Sequence, residues 1–355
     1  MWKDRRVIEL FGIEHPILQA PMAGAQKAEM AFAVTLAGGL GALPCALLSA
    51  AQAEAETTKL EAAGARPFNL NFFCHRPPQP DAAALSPWHR HLRRYYEEFG
   101  LDPETPPPES NRAPFDAEFC ALVERHRPEV VSFHFGLPAS ALLERVKATG
   151  AKVIASATTV REAKWLAEHG CDAIIAQGAE AGGHRGMFLS TDIATQIGTF
   201  ALVPQIVDTV EVPVIAAGGI ADGRGIVAAL ALGASAVQMG SAYLRSPEAR
   251  IAPLHLEALE RMSDEDTALT NIFTGRPARG IVNRVMREMG PMSDLAPAFP
   301  LAGGALAPLR SAAEARGDDG FQSLWAGQAA ALAKAEGAGD ITRRVAGEAL
   351  ALMER

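Results

Sequence analysis

Eight short apolar runs are spread along the chain at intervals that leave room for a helix between most of them. They are ILQA (17–20), LGAL (40–43), FNLNFF (68–73), VVSFHF (130–135), KVIASA (152–157), DAIIAQ (172–177), PVIAAGG (213–219) and AVQMG (236–240). Ala-rich helical patterns such as REAKWLAEHG and GRGIVAALALGA separate them. Strands that alternate with helices imply right-handed crossovers and a parallel sheet. Eight such units predict an α/β fold closed into a (β/α)8 TIM barrel. The alternative, an open doubly wound sheet, usually has fewer strands and a Gly-rich loop after the first. Here the first strand runs into APMAGA and no GxGxxG opens a helix, which favours closure.

The barrel is expected over residues 1–74 and 128–245. Residues 75–127, with the Pro-rich PETPPPE, fall between the third and fourth strands as a partly helical insertion with a surface loop. Residues 246–300 are expected to form a second, smaller lobe or cap, and 301–355 C-terminal helices that pack back on the barrel. A chain of 355 residues that is 48% apolar has the material for a large core.

Charge and cysteine usage exclude several classes. A net charge of −8 and only 6% aromatic residues argue against a nucleic-acid partner. No apolar segment follows the basic residues of MWKDRRVIELFGIEHP, and no stretch is long enough to cross a bilayer, so neither a secretory signal nor a membrane partner is expected. Cys45, Cys74, Cys120 and Cys171 are scattered without CxxC spacing, and histidines and carboxylates form no metal-ligand pattern. Neither disulfides nor a metal are expected, and a reducing cytoplasm is the expected location.

Active sites of such barrels form at the C-terminal ends of the strands. Glycines at the ends of strands 7 and 8 (Gly218-Gly219, then Gln238-Met239-Gly240-Ser241) let backbone N–H groups approach a phosphate. Asn71 and Gln177 are strand-end amides that could bond the polar edge of a planar heterocycle. Met22 and Ala23 could lay an apolar floor beneath it. Together these features suggest a phosphorylated planar cofactor, and flavin mononucleotide (FMN) fits.

VVSFHF poses a separate question. Strand alternation puts Val131, Phe133 and Phe135 on one face and Ser132 and His134 on the other. A lone histidine in such a run is usually a core residue with a satisfied hydrogen bond. His184 lies in the Gly-rich loop after strand 6, where it could position flavin or substrate. His75 follows strand 3 as a cap on the insertion, and His15 lies on the wrong end of the barrel, in a structural role.

The set APMAG, FNLNFFCH, SFHFG, AQGAEAGGHRG, AAGGIADGRG and QMGS resembles the nitronate monooxygenases, formerly 2-nitropropane dioxygenases. The resemblance runs from about residue 5 to Leu324-Trp325-Ala326-Gly327-Gln328. AQGAEAGGHRG is its most specific part; AAGGI and QMGS are shared among other FMN barrels. It implies non-covalent FMN held by Asn71, Gln177, Gly182, Gly219, Gln238, Met239, Gly240 and Ser241; from their positions at the strand ends, Met22, Ala23, Gly183 and Gly218 are expected to line the same site. It also implies that His134 is catalytic, in the subclass with histidine in SFHFG. The implied reaction is oxidative denitrification of an alkyl nitronate, such as propionate 3-nitronate, by dioxygen through a flavin semiquinone, giving a carbonyl compound and nitrite. Two alternatives stay open: an FMN-dependent NAD(P)H reductase of the enoyl or quinone reductase type, and a non-catalytic flavin- or phosphate-binding protein.

Overall fold

The computed structural model describes residues 1–78, 82–106, 108 and 112–355. Its centre is a ring of eight parallel strands: β1 (Ile17–Gln19), β2 (Gly41–Pro44), β3 (Phe68–Phe73), β4 (Val130–His134), β5 (Lys152–Ala157), β6 (Ala173–Gln177), β7 (Val214–Ala217) and β8 (Ala236–Met239). Hydrogen bonding follows the order β1-β8-β7-β6-β5-β4-β3-β2. A parallel bridge from Leu18 to Leu40 joins β1 to β2 and closes the ring. The eight-unit barrel is therefore the fold, with each strand within two residues of its expected span.

Register decides which side chains meet at the top. Asn71 pairs with Ser132, Phe73 with His134, Gln177 with Ala217, and Ala217 with Gln238. Val131 and Phe133 are fully buried in the main core, while Ser132 and His134 line a cavity at the strand ends. That is the alternation expected of VVSFHF as far as His134; Phe135, expected on the face of Val131 and Phe133, instead leaves the strand and packs with Phe73 and Phe299. Local signals start the outer helices cleanly. Ser49 and Gln52 form a capping box on Ala50–Ala62, and Asp116, Thr159 and Asp222 accept from the first amides of the helices they precede.

The segments outside the ring share work in an order the chain does not announce. Helix Ala117–His126, within 75–127, packs Phe119, Cys120, Leu122 and Val123 into the barrel core as one of its outer helices. Helix Ala338–Met353 lies against Ala28–Leu36 and Gly223–Ala231 and completes the outer ring. Helix Ala82–Phe99 instead joins Ala302–Glu314 in a second core with Ile272, Phe273, Val285 and Phe321. Its buried residues Trp88, Leu92, Tyr95 and Phe99 recur at helical spacing. The small lobe is thus built jointly from the insertion, the cap and the first half of the C-terminal stretch. Part of PETPPPE, Pro107 and Glu109, lies outside the described residues.

Trp88 is the largest fully buried side chain of this second core, and its Nε1–H donates to the Ala302 carbonyl at 3.1 Å. Trp88→Ala removes both the packing and the bond. It is expected to cost about 3–5 kcal/mol of stability, read from the urea midpoint. A midpoint unchanged within error would mean that the lobe contributes nothing to global folding.

A three-stranded antiparallel sheet (Thr267–Thr270, Ala278–Ile281, Gly183–His184) ties the lobe to the loop after β6. Ala278 pairs with His184 and Arg279 with Gly183. The lobe therefore fixes the backbone beside His134.

Candidate functional site

A cavity of about 390 Å³ opens at the C-terminal ends of the strands, within the range that holds small ligands and cofactors. Met22, Ala23, Asn71 and His134 line one part of it, Gln177, Gly182, Gly183 and His184 another. Gly218, Gly219, Gln238, Gly240 and Ser241 complete the set. Met239 is the exception. Its side chain is fully buried in the barrel core, because strand alternation sends Gln238 to the cavity and its neighbour outward. Met239 can therefore contact a ligand here only through its backbone, not as the full contact expected of it.

The amide at the end of β6 also differs from expectation. Gln177 Nε2 donates to the His184 carbonyl at 3.0 Å, and its Oε1 accepts from the Gly186 N–H at 2.7 Å. Gln177 thus clamps the 183–186 loop and keeps only part of its bonding capacity for a ring edge. Asn71 Nδ2 donates to Ser132 Oγ at 2.9 Å and to its carbonyl at 3.2 Å, so the amide oxygen is what it offers the cavity. Arg185 is fully enclosed, and its guanidinium donates to the carbonyls of Gln177 and Gly178 at 2.6 Å and to Gln196 Oε1 at 2.9 Å. It pins the end of β6 and has no donor directed at substrate.

His134 is held at both nitrogens. Nε2 lies 3.1 Å from the His184 carbonyl, which can only accept, so Nε2 carries the proton. Nδ1 then accepts from the Ser156 hydroxyl at 3.1 Å. Burial, together with the charges of Arg276 and Arg185, pushes the imidazole down to about 3, against the raising effect of the bond to His184. Burial therefore favours the neutral form of the His134 ring. His184 Nε2 is 3.0 Å from Thr274 Oγ1, whose hydroxyl donates on to the Arg276 carbonyl, so His184 also presents Nε2–H and a bare Nδ1. Burial, with Arg112 as its strongest charged neighbour, holds it well below the usual range.

The residue after His134 is strained. Phe135 has φ 71°, a left-handed conformation rare for an aromatic residue, followed by Gly136 at φ 89°. The turn lays the Phe135 ring against Phe73, Phe299 and His184, with the Arg276 guanidinium 3.9 Å from its centroid. An aromatic wall thereby flanks the histidine.

Elsewhere the cavity presents backbone donors and a buried acceptor that have no partner among the described residues. Gly218 and Gly219 have φ 110° and 74°, and no backbone carbonyl among the described residues takes their N–H groups. A Cβ on Gly218 would sit 3.0 Å from Ala181 N and Thr199 Oγ1, so the turn requires glycine. Ser241 Oγ accepts from Gly327 N–H at 2.9 Å, leaving its hydroxyl hydrogen to donate. Gln238 Oε1 is buried without a partner, an acceptor that calls for an N–H from a ligand. Gly182 is packed under the 322–330 segment, where a Cβ would meet Gly327 N at 2.5 Å. That segment folds over the cavity. Trp325 and Gly327 line it, and His255 Nε2 donates to the Trp325 carbonyl at 3.2 Å. Three lining residues could not be found by motif: Arg112, Arg310 and His255 sit in the lobe, and only folding brings them to the strand ends.

No group of histidines, cysteines and carboxylates able to hold a metal occurs among the described residues. No helix among them is long and apolar enough to cross a membrane.

Comparison with known proteins gives a consistent kinship. The sequence profile described as nitronate monooxygenase matches residues 4–346. A nitronate monooxygenase of Paraburkholderia phytofirmans is 40% identical over 344 residues, covering 96% of this chain and 94% of that one. One from Pseudomonas aeruginosa is 41% identical over 345 residues, covering 97% and 98%. Among solved structures, a nitroalkane oxidase from Streptomyces ansochromogenes superposes with a TM-score of 0.88 at 37% identity, covering 98% and 99%. FabK from Thermotoga maritima gives 0.74 at 29% identity, covering 98% and 97%.

Proposed function

Because the chain belongs to the nitronate monooxygenase family of flavin-dependent oxidoreductases, we propose that it oxidises alkyl nitronates with dioxygen, propionate 3-nitronate among them, with FMN as its flavin. The observation that supports this most is the neutral His134 facing the same cavity as the Gly218-Gly219 turn and the unpartnered Gln238 Oε1. Two nitronates and one dioxygen give two carbonyl compounds and two nitrite ions, which balances atoms and charge.

The residues fit FMN. The free amides of Gly218 and Gly219, the backbone at Gly240 and the Ser241 hydroxyl would hold its phosphate. Gln238 Oε1 would accept from a ring N–H, with Asn71 and Gln177 at the ring edge, Met22 and Ala23 beneath it, and Gly182 and Gly183 permitting close backbone approach. The bound flavin supplies the electron-accepting chemistry that amino acids lack. The chain itself excludes water with the 322–330 segment and the aromatic wall, and orients the nitronate against His134. The Ser156 hydroxyl is a rotor, and turning it frees His134 Nδ1 as an acceptor. These features support the reading of the chain as a member of the subclass with histidine in SFHFG.

The test is an anaerobic spectral titration of the FMN-loaded protein. Propionate 3-nitronate is expected to produce the spectrum of a one-electron-reduced flavin, while NADPH leaves the oxidised spectrum unchanged. Bleaching by NADPH with no response to nitronate would move the protein to the flavin reductases.

A further inference from the structure

The turn between strands Thr267–Thr270 and Ala278–Ile281 of the small lobe reaches both histidines of the cavity. The Thr274 hydroxyl lies 3.0 Å from His184 Nε2 and donates to the Arg276 carbonyl at 3.3 Å. The Pro277 carbonyl accepts from the Arg185 N–H at 2.8 Å, and Ala278 pairs with His184. Between these contacts the Arg276 guanidinium lies 3.9 Å from the centroid of the Phe135 ring and donates to the Met187 carbonyl.

Packing alone does not explain an arginine here. Arg185, enclosed nearby, satisfies its guanidinium with three acceptors. Arg276 has the Met187 carbonyl and no ion pair among the described residues. Burial pulls it down to about 10, so it is still charged at neutral pH. A charge withdrawn from water without a counter-ion is costly, and a methionine or leucine would fill the space without that cost. The flat cation is therefore kept for something an apolar side chain does not supply.

Its contacts say what that is. Phe135 directly follows His134 and holds φ 71°, a conformation an aromatic residue keeps only where its surroundings enforce it. Its ring centroid is 4.5 Å from that of His134. A cation over the face of a ring is attracted by the ring quadrupole, and the bond to Met187 fixes where this cation stands. The same charge also acts through space: it is among the causes that lower His75, His134 and His184.

We propose that Arg276 is a positioning residue for His134: anchored on Met187 and stacked on Phe135, it holds the left-handed turn that sets the direction of the imidazole. This rests on the nitronate oxidation proposed above, in which the substrate is oriented against His134. Arg276 is not among the residues that line the cavity, so it acts through Phe135 and not on the substrate.

The experiment takes the FMN-loaded wild type, Arg276→Lys, Phe135→Leu and the double variant, with propionate 3-nitronate as substrate. Lysine keeps the charge but has no plane to lay on the ring. Arg276→Lys is expected to lower kcat roughly 10-fold and Phe135→Leu roughly 10- to 100-fold, with KM within about threefold of wild type. The double variant should lose no more than about twofold beyond Phe135→Leu, because a residue that acts through Phe135 then has nothing left to hold. Losses that multiply, an unchanged kcat in Arg276→Lys, or a rise in KM alone overturn the assignment, the last because Arg276 would then touch the substrate. Failure of Arg276→Lys to fold overturns it too, since the residue would then be structural.

Nitrogen-15 NMR of the histidine rings gives a readout that needs neither turnover nor Phe135→Leu, with His134 identified by its absence from His134→Asn. The wild type should show one neutral tautomer, protonated at Nε2, and Arg276→Lys a mixture of both. The same tautomer in the two proteins refutes the positioning role. Failure of the wild type to oxidise the nitronate, with the tautomer still dependent on Arg276, would instead refute the nitronate reading and spare that role.

Discussion

Acidification from pH 6.5 to 4.5 is expected to remove a large share of the folding stability of this protein. Four histidines around the cavity are buried in neutral form: burial holds His134 at about 3 and His75 and His255 at about 4, and keeps His184 well below its ordinary value. In the unfolded chain each titrates near 6.5. Between those values the unfolded state binds more protons than the folded one, so stability rises with pH across the window. The contribution is fully present above about 6.5 and drains away as pH falls toward 4 or 3. Each histidine contributes up to about 1.4 kcal/mol per pH unit. Over two units the three held at about 3 or 4 amount to on the order of 5 kcal/mol, and His184 acts in the same direction, against a whole stability of about 5–15 kcal/mol for an ordinary domain. Urea midpoints at pH 7.5, 6.5, 5.5 and 4.5, at constant ionic strength, measure it directly. A midpoint that stays flat down to pH 5 would show that these rings are charged, or hydrated, in the folded protein.

The same neutrality sets a second large effect. At pH 7 a nitronate is expected to be turned over on the order of 10²–10⁴ times more efficiently than the corresponding neutral nitroalkane. A nitronate has already lost its carbon-bound proton. A nitroalkane must give that proton to a base, and in the proposed mechanism that base is His134. A neutral substrate brings no charge to raise an imidazole held at about 3, so the ring stays a weak base and forfeits most of what general-base catalysis can give. Oxygen uptake with freshly prepared ethylnitronate and with nitroethane measures the ratio, and His134→Asn should abolish what nitroethane turnover remains. Equal efficiencies would mean that His134 acts with a near-neutral pKa once the site is loaded. Kinship does not supply the answer, since a structural relative at 37% identity carries the name nitroalkane oxidase.

The barrel was legible in the chain because each β/α unit writes its own pattern. ILQA, KVIASA and DAIIAQ are runs of strand length flanked by turn residues, and the period changes where a helix follows. The Gly218-Gly219 turn was legible because both residues need conformations that only glycine adopts easily. The small lobe was not legible: the spacing of Trp88, Leu92, Tyr95 and Phe99 marks an amphipathic helix, but its partners lie about two hundred residues away and nothing local identifies them. For the same reason Arg310 gave no signal: in sequence it is one basic residue at the end of an Ala-rich helix. Met239 and Gln177 show the limit from the other side. A motif marks a neighbourhood, but strand alternation turned one side chain away and a nearby loop took half of the bonding capacity of the other.

The joint construction of the small lobe has a consequence for how the protein is made. Trp88 and Tyr96 reach their partners only across the carbonyls of Ala302 and Ala305, 214 and 209 positions later in the chain. At a synthesis rate of about 5–20 residues per second, the ribosome holds the apolar face of that helix without its mate for roughly 10–40 s. For that interval a stripe of two tyrosines and a tryptophan is displayed to everything nearby. The newborn chain must be shielded by its own half-built barrel or by a chaperone, and overproduction in a chaperone-poor host should yield inclusion bodies before it yields enzyme.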